Sequence, residues 1–183
     1  MLRICISGLT CSGKTSIGTD TAKLLNVMHV TKKSTAAYRR MLADLKNRKD
    51  IGNALIETMN AGYARAFDKE ITKIAESNDC VVTTWLGPWM VKDATIRVLL
   101  YADIDERAQR ASKRDRCSMR KAKAYIMKKD ELSTRAAKRL YGININENAI
   151  FDIEINTERL NKNEIISLVS LLALEKEEGS GFR

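Results

Sequence analysis

One proline, one histidine and few aromatics set the first limits on this chain of 183 residues. With Pro88 as its only proline, it cannot be a proline-rich spacer or recognition segment. His29 is the only histidine, and the four cysteines (Cys5, Cys11, Cys80 and Cys117) include no C-x-x-C pair, so the pattern of a zinc site is missing. Scattered thiols of this kind belong to a reducing, cytoplasmic compartment, and those beside apolar strands act as small hydrophobes. No apolar run approaches the ~18 residues that a membrane span requires. An apolar strand begins almost at the first residue, which leaves no room for a secretory signal. Aromatics make up 5% of the chain and no RNA-binding motif is present, which counts against a nucleic-acid reader.

Charge, by contrast, is plentiful and uneven. The net charge is +9. From Asp103 to Tyr141 there are thirteen Lys/Arg against six Asp/Glu, whereas Ile153 to Arg183 holds four bases and six acids. A basic region of this kind implies a polyanionic partner, for which nucleotide phosphates suffice and RNA is the competing choice. A solvated helix face is the plainer alternative.

Hydrophobic patterning alternates between strands and helices, the mark of an α/β fold with a largely parallel sheet. Strands are expected at residues 2–6, 27–30, 80–84, 95–101 and 151–155. Helices are expected at 15–25, from a Ser34-Thr35 cap to about Lys46, from an Asp50 cap near Ile51, at 63–75 after an interruption at Gly62, at 105–114, at 119–141 and at 162–177. Pro88 is expected in a loop after Gly87, and the Glu175–Gly181 end is expected to fray. The length suits a single domain, residues 1–183, with two helical additions to the core at about 33–77 and 115–141.

Gly8 to Thr15 reads GLTCSGKT, a full G-x-x-x-x-G-K-[ST] pattern lying between the first strand and the first helix. In that setting backbone N–H groups converge on one point at a helix N-terminus, which binds phosphate. Gly8, Leu9, Thr10, Cys11, Ser12, Gly13, Lys14, Thr15 and Ser16 are the expected ATP-binding residues. Lys14 would reach the β/γ-phosphates, and the Thr15 hydroxyl would ligate Mg²⁺.

Four stretches carry a family resemblance: ISGLTCSGKTS; CVVTTWLGPWMVKDATIRVLLYADIDERAQR; KRLYGININENAIFDIEINT; and Tyr38-Arg39. In these the chain resembles the nucleoside monophosphate kinases, above all the archaeal-type cytidylate kinases. The resemblance spans nearly the whole chain and is weak over 46–63. It implies a three-layer α/β/α P-loop kinase fold with a five-stranded parallel sheet. It further implies a helical acceptor-binding lobe, a basic helical lid, and transfer of the ATP γ-phosphoryl group to CMP or dCMP with Mg²⁺. A lid has a physical purpose, because phosphoryl transfer must exclude water and neutralise charge.

The resemblance places Arg39 at the acceptor phosphate and Asp68 at its base or ribose. Trp85, flanking Gly87-Pro88 with Trp89, could stack on the acceptor base. Arg107, Arg110 and Arg114 share three- and four-residue spacing and so one helix face. Arg110 and Arg114 are the catalytic candidates beside Lys14, and Arg107 and Arg135 the acceptor-side candidates. Arg116, Arg120 and Lys129 are further lid cations. For each of these an ordinary packed or solvated role is the alternative.

The chain also departs from the family pattern. Thr83-Thr84-Trp85 stands where Glu-Gly-Arg is usual, Ala136-Ala137 where the lid has Arg-Tyr, and Asn144 where an aspartate follows Tyr-Gly-Ile. Loss of one bidentate phosphate contact removes about 1.5–3 kcal/mol, or roughly tenfold to hundredfold in affinity. The acceptor is therefore left open among CMP, dCMP, UMP and others. A nucleotide switch, an ATP-binding protein acting on RNA, or a kinase of another small acceptor are the alternatives. The partners read from the sequence are ATP and a nucleoside monophosphate, met by a monomer without a membrane.

Overall fold

The computed structural model describes residues 1–45 and 61–180. The helix expected from an Asp50 cap falls outside the described residues. The elements in chain order are β1 (Arg3–Ser7), α1 (Lys14–Leu24), β2 (Met28–Val30), a 3₁₀ turn (Lys32–Ser34), α2 (Ala36–Leu45) and α3 (Ala61–Glu76). They continue with β3 (Cys80–Val82), α4 (Gly87–Met90), β4 (Ile96–Tyr101), α5 (Ile104–Asp115), α6 (Met119–Tyr141), β5 (Ile153–Asn156) and α7 (Lys162–Ser180).

All five strands are parallel, in the order β2-β3-β1-β4-β5. Successive residues of a strand face opposite sides of a sheet, and β1 uses this directly. Ile4 and Ile6 are fully buried on one side, in a core with Ile17 of α1 and Ile165 and Val169 of α7. Cys5 points to the other side, into a second core with Met41, Phe67 and Ile71 of α2 and α3. The result is a three-layer α/β/α arrangement. Cys5 and Cys80 are buried free thiols, as small hydrophobes should be.

The two helical additions lie on either side of the carboxyl ends of the strands. α2 is closed at its N-terminus by a distant group: Glu70 of α3 accepts from the Ala36 and Ala37 N–H groups at 2.6 and 3.2 Å. A carboxylate there meets both the unsatisfied donors and the helix dipole. α5 and α6 pack through Ala108, Ala111, Ala122 and Ile126, all buried. Ser118 caps α6 by accepting from Lys121 N, and Gly142 (φ +69°) ends it.

Several boundaries differ from expectation. β3 stops at Val82, so Thr83, Thr84 and Trp85 leave the sheet at its carboxyl edge. Pro88 lies in the first turn of the short helix α4, where its missing N–H costs nothing. α7 continues to Ser180 where fraying was expected.

Candidate active site

Parallel α/β sheets bind ligands outside the carboxyl ends of their strands, where the strand order reverses. Here the chain runs from β1 to β2 on one side and then to β4 on the other, so that point lies at the end of β1. The loop that follows β1 contains the GLTCSGKT pattern.

Its backbone is contorted in a way that specifies residue type. Gly8 has φ +145° and Gly13 φ +100°. A Cβ on Gly8 would stand 2.1 Å from the Leu100 carbonyl oxygen. Cys11 takes a left-handed φ of +64° although it is not glycine, a conformation that persists only where its surroundings impose it. Gly13 precedes α1, and no side chain caps that helix. The N–H groups of its first turn are thus free to meet an anion.

Two further donors fit the same purpose. The hydroxyls of Thr10 and Ser12 are buried without a hydrogen-bond partner. Such groups are costly unless a ligand completes them. Lys14 bends back over the loop, donating to the carbonyls of Gly8 and Leu9 at 2.6 and 2.7 Å, with its ammonium 5.7 Å from the centre of the Trp85 ring. Burial pushes its pKa down to about 7, opposed by Asp130. A triphosphate would supply the anion that this cation lacks, so loop and ligand fit. Thr15 is exposed in the first turn of α1, where its hydroxyl could hold Mg²⁺. Ser16 is exposed beside it.

Asp130 of α6 grips the loop from above. Its carboxylate accepts from the Thr10 N–H at 3.0 Å and from Arg107 at 2.6 Å. Arg107 is 6% exposed and also donates to the carbonyls of Thr10 and Ala102 at 3.1 Å each. It is a strut between α5, α6 and the loop, with its donors turned inward, where sequence reasoning placed it at the acceptor. Sequence reasoning did not single out Asp130 at all. An acid within a basic helix is the only signal that could have marked it.

The other predicted arginines also have partners. Arg110 bonds Glu106 at 2.9 Å and Thr157, after β5, through its hydroxyl and carbonyl at 2.8 Å, so it is directed to the end of β5. Arg135 is exposed and paired with Glu131. Arg114 is paired with Asp115 at 2.7 Å, and the fields of Cys11 and Tyr125 also raise its pKa. Of the α5 candidates it lies within electrostatic reach of the loop. Lys129 of α6 is half-buried, 5.6 Å from the Tyr125 ring centre, and its charge lowers the pKa of both Lys14 and Lys32.

Beside the loop is a second space, about 30 Å³, between α3, α6 and Trp85. Asp68, Lys32, Trp85, Ala136, Ala137 and Tyr141 line it. Asp68 accepts from the Tyr141 hydroxyl at 2.8 Å, and burial raises its pKa while Tyr141 and Lys32 oppose the rise. A nucleotide needs several hundred Å³, so its admission requires the last turns of α6 to move off α3. Arg39 is exposed on α2, outside this lining. His29 is hydrogen-bonded to Thr83 and Thr19 at 2.8 and 3.3 Å and held neutral-leaning by burial, consistent with a strand-end residue. Sequence reasoning did not mark Lys32 or Tyr141. For Lys32, its position directly after β2 was the available signal.

Comparison with known proteins gives the family of this chain and its fold. The cytidylate kinase-like family model matches residues 3–159. The chain belongs to the cytidylate kinase-like family. A cytidylate kinase of Sulfurisphaera tokodaii is 31% identical over 173 residues, covering 91% of this chain and 92% of that protein. Among solved structures, the shikimate kinase of Bacteroides thetaiotaomicron superposes with TM-score 0.60 at 19% identity, over 96% of this chain and 98% of that one. A gluconokinase of Sinorhizobium meliloti gives 0.61 at 12% identity, over 99% and 96%. These two establish the P-loop kinase fold alone. Family and fold together support a nucleotide kinase. Among the described residues no helix is long and apolar enough to cross a membrane, and no group of His, Cys, Asp and Glu could hold a metal by itself.

Proposed function

We propose that this chain transfers the γ-phosphoryl group of ATP to a nucleoside monophosphate, CMP or dCMP first among them. The observation that supports this most is the pairing of an uncapped, hydroxyl-lined phosphate loop with an adjacent cleft that holds an aromatic, a buried acid and a lysine.

In this reading Lys14 leaves the Gly8 and Leu9 carbonyls and engages the β/γ-phosphates. The N–H groups of Gly13 to Ser16 and the Thr10 and Ser12 hydroxyls complete the cradle. Charge that builds on the transferring group is met by Lys14, Lys129 and Arg114, with Arg110 remaining as a support at the end of β5. Magnesium, when bound through Thr15, neutralises and aligns the phosphates. Asp130 and Arg107 keep the loop in register under α6. Trp85 stacks on the acceptor base, with Asp68 at its polar edge. No proton-transfer group is required, because positioning and charge neutralisation supply most of the acceleration.

A coupled assay of ADP release, run over CMP, dCMP, UMP, AMP and GMP, tests this directly. The expected result is turnover stimulated most by CMP or dCMP. ATP binding with no stimulation by any monophosphate would reject the proposal in favour of a nucleotide switch or a kinase with another acceptor.

A further inference from the structure

The acceptor-side cleft contains a cation that the phosphate-loop chemistry does not use. Lys32 opens the 3₁₀ turn that follows β2 after the single residue Thr31, so it emerges at the carboxyl edge of the sheet. Its side chain is half-buried and its ammonium lies 5.9 Å from the centre of the Phe67 ring. Asp68, the acid whose field it feels, is already engaged by the Tyr141 hydroxyl. Among the described residues Lys32 takes part in no ion pair. Burial pushes its pKa down, Asp68 opposes, and Lys129 adds repulsion.

A partly desolvated ammonium without a carboxylate partner is costly to keep. Surface lysines avoid that cost by extending into water. Lys32 does not: its ammonium lies over the Phe67 ring, and the residue lines the space shared with Trp85. Thr84, Trp85 and Leu86 border the same space and carry no charge. The lining therefore holds one cation, Lys32, an acid already engaged by Tyr141, Asp68, and an aromatic, an arrangement that suits a phosphate attached to a planar base.

We propose that Lys32 binds the phosphate of the acceptor nucleotide, supplying from the end of β2 the positive charge that the Trp85 wall lacks, and so makes a phosphorylated acceptor obligatory. This rests on the kinase reading above and names the group that selects its second substrate. A packing role for the lysine stem makes a different forecast, because methionine would retain it.

Steady-state ADP release, measured against CMP concentration for wild type, Lys32→Met and Lys32→Arg, separates the two. Lys32→Met is expected to raise KM for CMP by about tenfold or more, the value of one charge-assisted contact. KM for ATP should move less than twofold, and Lys32→Arg should recover most of the loss. Inhibition by cytidine, which lacks the phosphate, should be the same for wild type and Lys32→Met. If Lys32→Met is poorly folded by thermal melt, Lys32→Gln is read in its place. Wild-type turnover with KM for CMP unchanged in the neutral variants would overturn this inference alone. Absence of monophosphate-dependent turnover in the wild type would overturn the kinase reading, and the inference with it.

Discussion

The phosphate loop and the acceptor cleft are neighbours at the carboxyl ends of the same strands, but they are held together by different means. The loop is local. Nine consecutive residues, two glycines at positive φ and one helix start create its donors, and Asp130 and Arg107 brace it from a distance. The cleft is assembled from far apart. Lys32 follows β2, Asp68 is in α3, Trp85 follows β3, and Tyr141 ends α6. In the proposed reading a triphosphate completes the loop, whereas the cleft is closed by the protein's own helix and would have to open. Binding at the first should therefore depend on single local residues, and binding at the second on the clasp between helices.

The largest expected effect tests a long-range brace of the loop. Arg107→Met leaves Asp130 buried without its cation and should cost about 3–5 kcal/mol in denaturant unfolding. A loss under 1 kcal/mol would show that the loop stands without its strut. Lys14→Ala comes next, with kcat expected to fall by roughly 10²–10³ for every acceptor. An effect confined to one acceptor would place Lys14 in the cleft's chemistry instead of the loop's.

Protonation of the same lysine sharpens the comparison. Burial pushes its pKa down from 10.5 to about 7. Between those values the unfolded chain holds a proton that the folded chain has released, so this group's destabilisation is greatest below pH 7 and fades as pH rises toward 10.5. Triphosphate binding restores an anionic partner, so at pH 8 ATP binding should take up part of a proton. Calorimetry in buffers of differing ionisation enthalpy reads that uptake, which should vanish in Lys14→Met; equal uptake in both would assign it to another group.

On the cleft side, Tyr141→Phe removes one hydrogen bond to Asp68, worth about 0.5–1.5 kcal/mol. Because that bond holds α6 over the cleft, KM for the acceptor should fall, by about twofold to tenfold. A rise would mean that Tyr141 contacts the acceptor. Smallest of all, Arg135→Ala breaks an exposed pair with Glu131. Both activity and stability should hold, the latter within about 0.5 kcal/mol.

Legibility in the sequence followed the same division. GLTCSGKT was readable because its conformation, donors and helix start are set by residues within one turn of one another. The end of α6 was readable from Gly142 for the same reason, whereas the Ser118 cap emerged only in the structure. The reach of β3 was overestimated, since Thr83 and Thr84 have strand-forming side chains but leave the sheet to meet His29 and Gly87. Helical spacing correctly put Arg107, Arg110 and Arg114 near one face of α5 but could not show what each meets. Their partners Asp130, Thr157 and Asp115 lie at very different distances along the chain.

By itself, then, the amino-acid order determined a parallel α/β sheet and an anion-binding turn, because alternation, glycine and a helix N-terminus act over a few bonds. Which cations are consumed as internal struts, and that Lys32 and Trp85 line one space, were decided only when β2, α3, β3 and α6 came together. Charge–charge and hydrogen-bond partners are chosen by distance in space, and separation along the chain carries no record of it.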